Sequence, residues 1–169
     1  MIDSITSSSL VNTQSLKLPC ADGKCKTLSD YFGKVLLVVN IATQCDFAYQ
    51  LNSLYLIDLL YAPRGLEILA FPCNDFGSQE PDPVNDVNSF LRSTFRLNFD
   101  HFAKIHCIGD DQLPLYKYLV AQSDCKPIAW NYEKFLLDRE GRFFARFETK
   151  VQFTDPRFTA AIEQLLNQF

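Results

Sequence analysis

The stretch Val35 to Ala48, VLLVVNIATQCDFA, decides the fold. Its first half is a near-continuous apolar run containing the pair Val38-Val39, the pattern of a parallel strand buried on both faces. The run breaks at Ala42-Thr43-Gln44 and delivers a cysteine, Cys45. Leu51, Leu54, Ile57 and Tyr61 then recur at roughly helical spacing, which places Cys45 at the turn between a buried strand and the first turn of a helix. Free backbone N–H groups and the positive end of the helix dipole favour a thiolate there, and the thiolate is the reactive form. The plain alternative is a small, inert, buried side chain.

Downstream, Pro63-Arg64-Gly65 closes the helix and Leu66 to Phe71, LEILAF, reads as a second buried strand. That strand opens into Pro72 to Pro81, a loop rich in Pro, Asn, Asp and Gly, at the strand end where open parallel sheets build their sites. Val84, Val87, Leu91 and Phe95 mark an amphipathic helix, Phe102 to Cys107 a short strand, and Pro114 the start of a helix with Leu115, Tyr118 and Leu119 inward. Tyr132 to Leu137 and Phe143 to Phe147 flank Asp138-Arg139-Glu140-Gly141, which suits a type I turn in an antiparallel hairpin. Asp155 caps the final helix, Pro156 takes its first position, and Phe158, Ala161, Ile162, Leu165, Leu166 and Phe169 form its apolar stripe.

Upstream, residues 1–13 are polar and expected to be loosely held, and Leu16 to Leu18 pairs with Cys25 to Thr27 across a turn at Asp22-Gly23. Leu28 to Phe32 reads as a helical turn ended by Gly33. Cys20 and Cys25 bracket the hairpin, but no second Cys or His pair completes a zinc site, so a local disulfide or two plain side chains is expected and no metal. The order βαβ then ββα is an α/β, thioredoxin-like fold: a central mixed sheet flanked by helices, with an N-terminal β-hairpin, as one domain over residues 1–169. Thioredoxin-like C-x-x-C is absent, because the position three after Cys45 is Ala48.

Composition narrows the function classes. With 169 residues, 47% apolar and 21% charged, the chain can bury a sizeable core. A net charge of −4 argues against nonspecific binding to nucleic acid or to anionic membrane. No stretch is long and apolar enough to span a bilayer, and the N-terminus MIDSITSSSL has neither a basic region nor a long apolar one. A cytoplasmic, reducing setting is expected, which turns the six cysteines toward redox or metal chemistry.

Three stretches together resemble the glutathione peroxidase family in its cysteine-type, non-selenium form. They are Gly33 to Ala42 running into Cys45, the loop Phe71-Pro72-Cys73-Asn74-Asp75-Phe76-Gly77-Ser78-Gln79-Glu80-Pro81, and Trp130-Asn131-Tyr132-Glu133-Lys134-Phe135-Leu136. The resemblance extends from about Leu16 to the C-terminus and implies a peroxidatic Cys45 served by Gln79, Trp130 and Asn131. Their amide and indole groups are neutral N–H donors, suited to stabilising a thiolate and the charge developing on a departing peroxide oxygen. The implied activity is reduction of hydrogen peroxide or organic hydroperoxides through a sulfenic acid, in response to oxidative stress, with glutathione or thioredoxin as reductant and no bound cofactor.

This sequence departs from the family's pattern near the sulfur: Asp46 where a small residue is usual, Gln44 for a frequent Lys, Tyr49 for a frequent Pro, and Asp75 for a usual Gln. The short segment Ala121 to Ala129 resembles the monomeric, thioredoxin-reduced subgroup, but Arg92 stands where that subgroup carries its resolving cysteine. Cys73, Cys107 and Cys125 are the substitutes, and Cys125, in a loop ahead of Trp130, is the expected resolving thiol; otherwise an external thiol acts on Cys45 directly. Two other readings stand beside the enzyme: a peroxide sensor that passes a disulfide to a partner protein, and a thioredoxin-like fold without a redox role.

Overall fold

Val35–Ile41 is buried at every position and lies inside a four-stranded sheet. In the computed structural model, which describes residues 12–168, the strands are β1 (Lys17–Pro19), β2 (Cys25–Thr27), β3 (Val35–Ile41), β4 (Leu66–Pro72), β5 (Lys134–Leu137) and β6 (Phe143–Phe147). The helices are α1 (Gln50–Tyr61), α2 (Val84–Phe95), α3 (Pro114–Gln122) and α4 (Pro156–Leu166). The expectations for residues 1–11 and for Phe169 lie outside the described residues.

The sheet order is β4-β3-β5-β6. β3 runs parallel to β4, with Val35 opposite Leu66 and Ile41 opposite Pro72, and antiparallel to β5, with Leu36 opposite Leu137 and Val39 opposite Lys134. β5 and β6 form the expected hairpin: Gly141 N–H donates to the Asp138 carbonyl at 3.0 Å, with Gly141 at φ 76°. β1 and β2 pair separately as the N-terminal hairpin. This is the thioredoxin-like α/β arrangement.

Because successive strand residues face opposite ways, the sheet divides two cores. Val35, Leu37, Val39 and Ile41 join Leu66, Ile68 and Ala70 under α1, α2 and α4. Leu36 and Val38 join Leu69, Phe71 and Cys73 under α3 and the N-terminal hairpin. Each of these large aliphatic side chains stabilises the fold by about 1.5–3 kcal/mol through burial. The cap of α4 is as expected, Asp155 accepting from Arg157 N–H at 2.8 Å. α1 is apolar almost all round: Leu51, Leu54 and Ile57 are buried, while Leu56, Leu59 and Leu60 are exposed. No helix among the described residues is long and apolar enough to cross a membrane.

One local expectation is corrected, and one that stood open between two readings is decided. Phe102 to Cys107 is not a strand. It makes only single bridges, Phe102 with Cys20 and His106 with Gln112, because successive backbone groups find different partners: Ala103 N–H goes to Pro19 and Ile105 N–H to Pro72. Cys20 and Cys25 are free thiols, as are the other four cysteines, so the disulfide option for the hairpin is not realised.

Candidate active site

Cys45 lies in the connection between β3 and α1, five residues before the helix begins at Gln50. This is the expected position, at the turn between a buried strand and the helix that follows. Residues 45–51 wind toward the helix through short-range bonds, Ala48 N–H to Cys45 O at 2.9 Å and Gln50 N–H to Phe47 O at 3.0 Å. The Cys45 side of this turn offers its sulfur one backbone donor, Phe47 N–H at 3.4 Å, a contact that serves a thiolate without an ion pair. Cys45 is 7% exposed, enough for a small reactant to touch and too little for bulk solvent. Asp46 and Tyr49, the unusual neighbours, are both exposed.

Long-range bonds hold this turn. Thr43 donates its N–H to Glu80 Oε2 at 2.9 Å and its hydroxyl to Glu80 Oε1, and Gln44 N–H donates to the Gln79 carbonyl at 3.0 Å. Glu80 is fully buried; burial pushes its carboxyl up, opposed by the Thr43 hydrogen bonds. Asn74 Oδ1 accepts Glu80 N–H at 2.8 Å, and Lys104 Nζ donates to the Glu80 carbonyl at 2.6 Å. The Cys45 turn and the Gln79 loop are thus stapled into one unit.

Within that loop Gly77 sits at φ 65°, and a Cβ there would lie 3.0 Å from the Trp130 ring and 3.3 Å from the Gln79 amide. Gly77 is glycine because the backbone is left-handed and because the indole and the amide close over it. Gly77→Ala should displace both groups and cost about 1–2 kcal/mol of stability, because the left-handed backbone disfavours a Cβ. Denaturant titrations beside the tryptophan fluorescence of the folded protein check this; an unchanged midpoint and spectrum would mean that the loop accommodates the methyl group without moving the Trp130 ring.

Trp130 and Asn131 come from the segment leading into β5. The end of β3 grips it: Asn40 Nδ2 donates to the Trp130 carbonyl at 3.1 Å, and Tyr132 N–H to the Asn40 carbonyl at 2.7 Å. The Trp130 ring packs on Phe76, centroids 5.9 Å apart. Asn131, fully buried, donates from Nδ2 to Gln79 Oε1 at 3.2 Å, which occupies the Gln79 oxygen and leaves its NH2 available as a donor. Asn131 Oδ1 is buried without a partner. Tyr132 takes φ 64° and sends its hydroxyl to the Ala42 carbonyl at 2.7 Å; burial first, then the nearby Cys45 sulfur, push its phenol well above the ordinary range.

Beneath this segment lies a buried polar network. Thr149 donates its hydroxyl to the Asn131 carbonyl at 2.7 Å and accepts at its own carbonyl from Gln50 Nε2 at 2.9 Å and Lys134 Nζ at 3.2 Å. Lys134 Nζ also donates to the Tyr132 carbonyl at 2.7 Å and lies 4.8 Å from the centre of the Phe153 ring. Lys134 is 0% exposed, and burial pushes its ammonium down to about 7, with Glu133 opposing.

Gln79 and Asn131 are therefore hydrogen-bonded, Trp130 and Gln79 both lie over Gly77, and the Cys45 turn is tied to this group through Gln44 N–H to the Gln79 carbonyl and through the Tyr132 hydroxyl to the Ala42 carbonyl. Cys125 belongs to a different loop, the one that follows α3. It is exposed, at φ 61°, on a loop that Arg146 clamps through the Ser123 hydroxyl, Asp124, the Lys126 carbonyl and the Pro127 carbonyl at 2.7–3.2 Å. Asp75 turns toward His106 and Cys107; burial works to raise its carboxyl, but hydrogen bonds from His106, the Cys107 N–H and Cys73 hold it below the usual carboxylate range. Glu80 and Lys134, which position the site from below, went unread in the sequence. The one signal for either was an ionisable residue inside a stretch otherwise read as buried or as loop.

A thioredoxin-like fold with one cysteine at the turn between β3 and α1, and no second cysteine three residues on, sets the chain apart from C-x-x-C oxidoreductases and fits a thiol-dependent peroxide reductase. Comparison with known proteins agrees. The family model "Glutathione peroxidase" matches residues 14–120. The chain is 42% identical to Glutathione peroxidase 1 of Caenorhabditis elegans over 81% of this chain and 85% of that one, and 36% identical to a hydroperoxy fatty acid reductase of Synechocystis sp. over 86% and 90%. The crystal structure of T. cruzi GPX1 superposes with a TM-score of 0.68 at 30% identity, covering 89% of this chain and 93% of that one. The chain belongs to the glutathione peroxidase family, and it is a thiol-dependent peroxidase.

Proposed function

We propose that Cys45 is the peroxidatic thiol, with Gln79, Trp130 and Asn131 as its polar partners, and that the sulfenic acid is reduced by an external thiol. The Cys45 thiolate attacks one oxygen of hydrogen peroxide or an organic hydroperoxide; an S–O bond forms, the O–O bond breaks, and the departing oxygen takes a proton to leave as water or alcohol. The Gln79 amide and the Trp130 indole donate to the charge that develops on that oxygen, and Asn131, bonded to the Gln79 oxygen, orients the Gln79 amide for it. A first thiol, from glutathione or thioredoxin, attacks the sulfenic sulfur and releases water, and a second thiol restores Cys45. The protein works as a single-domain monomer in a reducing, cytoplasmic compartment, without a cofactor in the reaction. The observation that carries this reading is the stapling of a nearly buried, unpaired Cys45 to the Gln79 loop.

The bonds from Arg146 hold the Cys125 loop in place, which supports the external route over Cys125 as an intramolecular resolving thiol. Peroxide consumption coupled to NADPH, with thioredoxin and its reductase or with glutathione and its reductase, tests both points. Turnover is expected in wild type, and Cys125→Ser should change it by less than about two-fold. Loss in Cys125→Ser with thioredoxin as the only effective reductant would make Cys125 the resolving thiol. Oxidation of Cys45 without turnover by either reductant would overturn the enzyme reading and favour a sensor.

A further inference from the structure

A second group of thiols lies on the other side of the sheet from Cys45. Cys73, Asp75 and Cys107 present their ligand atoms within 4.8 Å of one another. Both cysteines are fully buried in the core beneath α3, whereas Cys45 belongs to the core beneath α1, α2 and α4. Their places are fixed by backbone bonds. Cys73 follows β4 and donates its N–H to the Ile41 carbonyl at 3.0 Å, and Cys107 donates its N–H to Asp75 Oδ2 at 2.7 Å. The second Asp75 oxygen meets His106 Nδ1 at 2.6 Å. Tyr116 adds an independent observation: it is 0% exposed, its hydroxyl faces Cys107, and it has no nitrogen or oxygen partner.

We propose that Cys73, Cys107 and Asp75 bind a thiophilic divalent cation of the zinc type. Two sulfurs and one carboxylate oxygen are a zinc donor set, and tetrahedral bonds of about 2.0–2.3 Å require the three atoms to close by roughly 1 Å from their present spread. His106 against the carboxylate is the outer partner that orients such a ligand. The fourth position falls to a water, and the Tyr116 hydroxyl is placed to hydrogen-bond it, which would satisfy an otherwise orphaned buried group. A carboxylate packed against two thiols is what a cation needs and a disulfide does not. The cation would fasten the end of β4 to residues 105–107, a segment tied to its neighbours by only single backbone bonds.

The test uses the reduced full-length protein, titrated with zinc and separately with cobalt, in wild type, Cys45→Ser, Cys107→Val and Asp75→Asn. About one metal per chain is expected, with a thiolate-to-cobalt charge-transfer band and a melting temperature about 5–10 °C higher at a hundred-fold excess over Kd. Cys45→Ser should keep the band. Cys107→Val should lose it while melting like metal-free wild type, and Asp75→Asn should bind about ten-fold or more weakly. Should Cys107→Val fail to fold, Asp75→Asn decides alone. No uptake by wild type would overturn the proposal, as would binding lost only in Cys45→Ser. A Cys73–Cys107 disulfide in the purified protein, with no uptake after reduction, would overturn it in favour of a redox pair.

Discussion

Cys45→Ser should remove peroxide turnover with either reductant, a loss of at least about a thousand-fold, because a serine hydroxyl is scarcely ionised at neutral pH and is a far poorer nucleophile toward the O–O bond. The substitution removes no packing volume of consequence and keeps an acceptor for Phe47 N–H, so the melting temperature should move little. That separation of activity from stability makes the variant decisive. Residual turnover near the wild-type rate would transfer the chemistry to another of the six thiols. The reaction can be followed without a coupling enzyme, since one equivalent of peroxide should consume one accessible thiol in wild type and none at position 45 in the variant.

Lys134→Met should change the pH dependence of stability more than any other single substitution beneath the site. Burial lowers the Lys134 ammonium from 10.5 to about 7, so between those values the unfolded chain carries a proton that the folded chain does not. Stability from this group is therefore complete above about pH 10.5 and is lost as pH falls toward 7, at about 1.4 kcal/mol per unit. Relative to Lys134→Met, wild type should gain about 4 kcal/mol between pH 7 and pH 10, read from urea titrations of both proteins across that range. Taking the difference cancels the thiols and phenols common to both. Parallel curves would show that Lys134 keeps its proton in the fold. The variant also leaves the Tyr132 carbonyl without its lysine donor, so turnover should fall with it.

The parts of this molecule legible in the sequence are those governed by neighbours along the chain. The apolar run Val35–Ile41, the Asp138–Gly141 turn and the Asp155 cap are each written in a few adjacent residues, and each is where the spacing puts it. Phe102 to Cys107 looked like a strand because its apolar residues suit one, yet a strand exists only when one continuous partner lies alongside, and here three different segments share its backbone groups. The turn that carries Cys45 is likewise held from far along the chain. Residues 43–49 do not continue the helix because Thr43 and Gln44 are bonded to Glu80 and Gln79, more than thirty positions away. The candidate site residues were readable as donors in recurring stretches, whereas the groups that hold them (Glu80, Thr149, Lys134) act across distances that spacing cannot express.

The alternation of β3 and β4 across the sheet carries one more meaning. Ala70 faces the core that holds Cys45, while Phe71 and Cys73 face the other, so a slab one strand-layer thick stands between sulfurs of opposite character. Since sheet faces pack about 10 Å from the next layer, exchange between the two sides has to pass round the strand ends, beyond which Cys45 and Cys73 both lie. The sheet is insulation in this sense: the sulfur proposed to cycle through oxidation packs into one core, and the two proposed to hold a cation pack into the other.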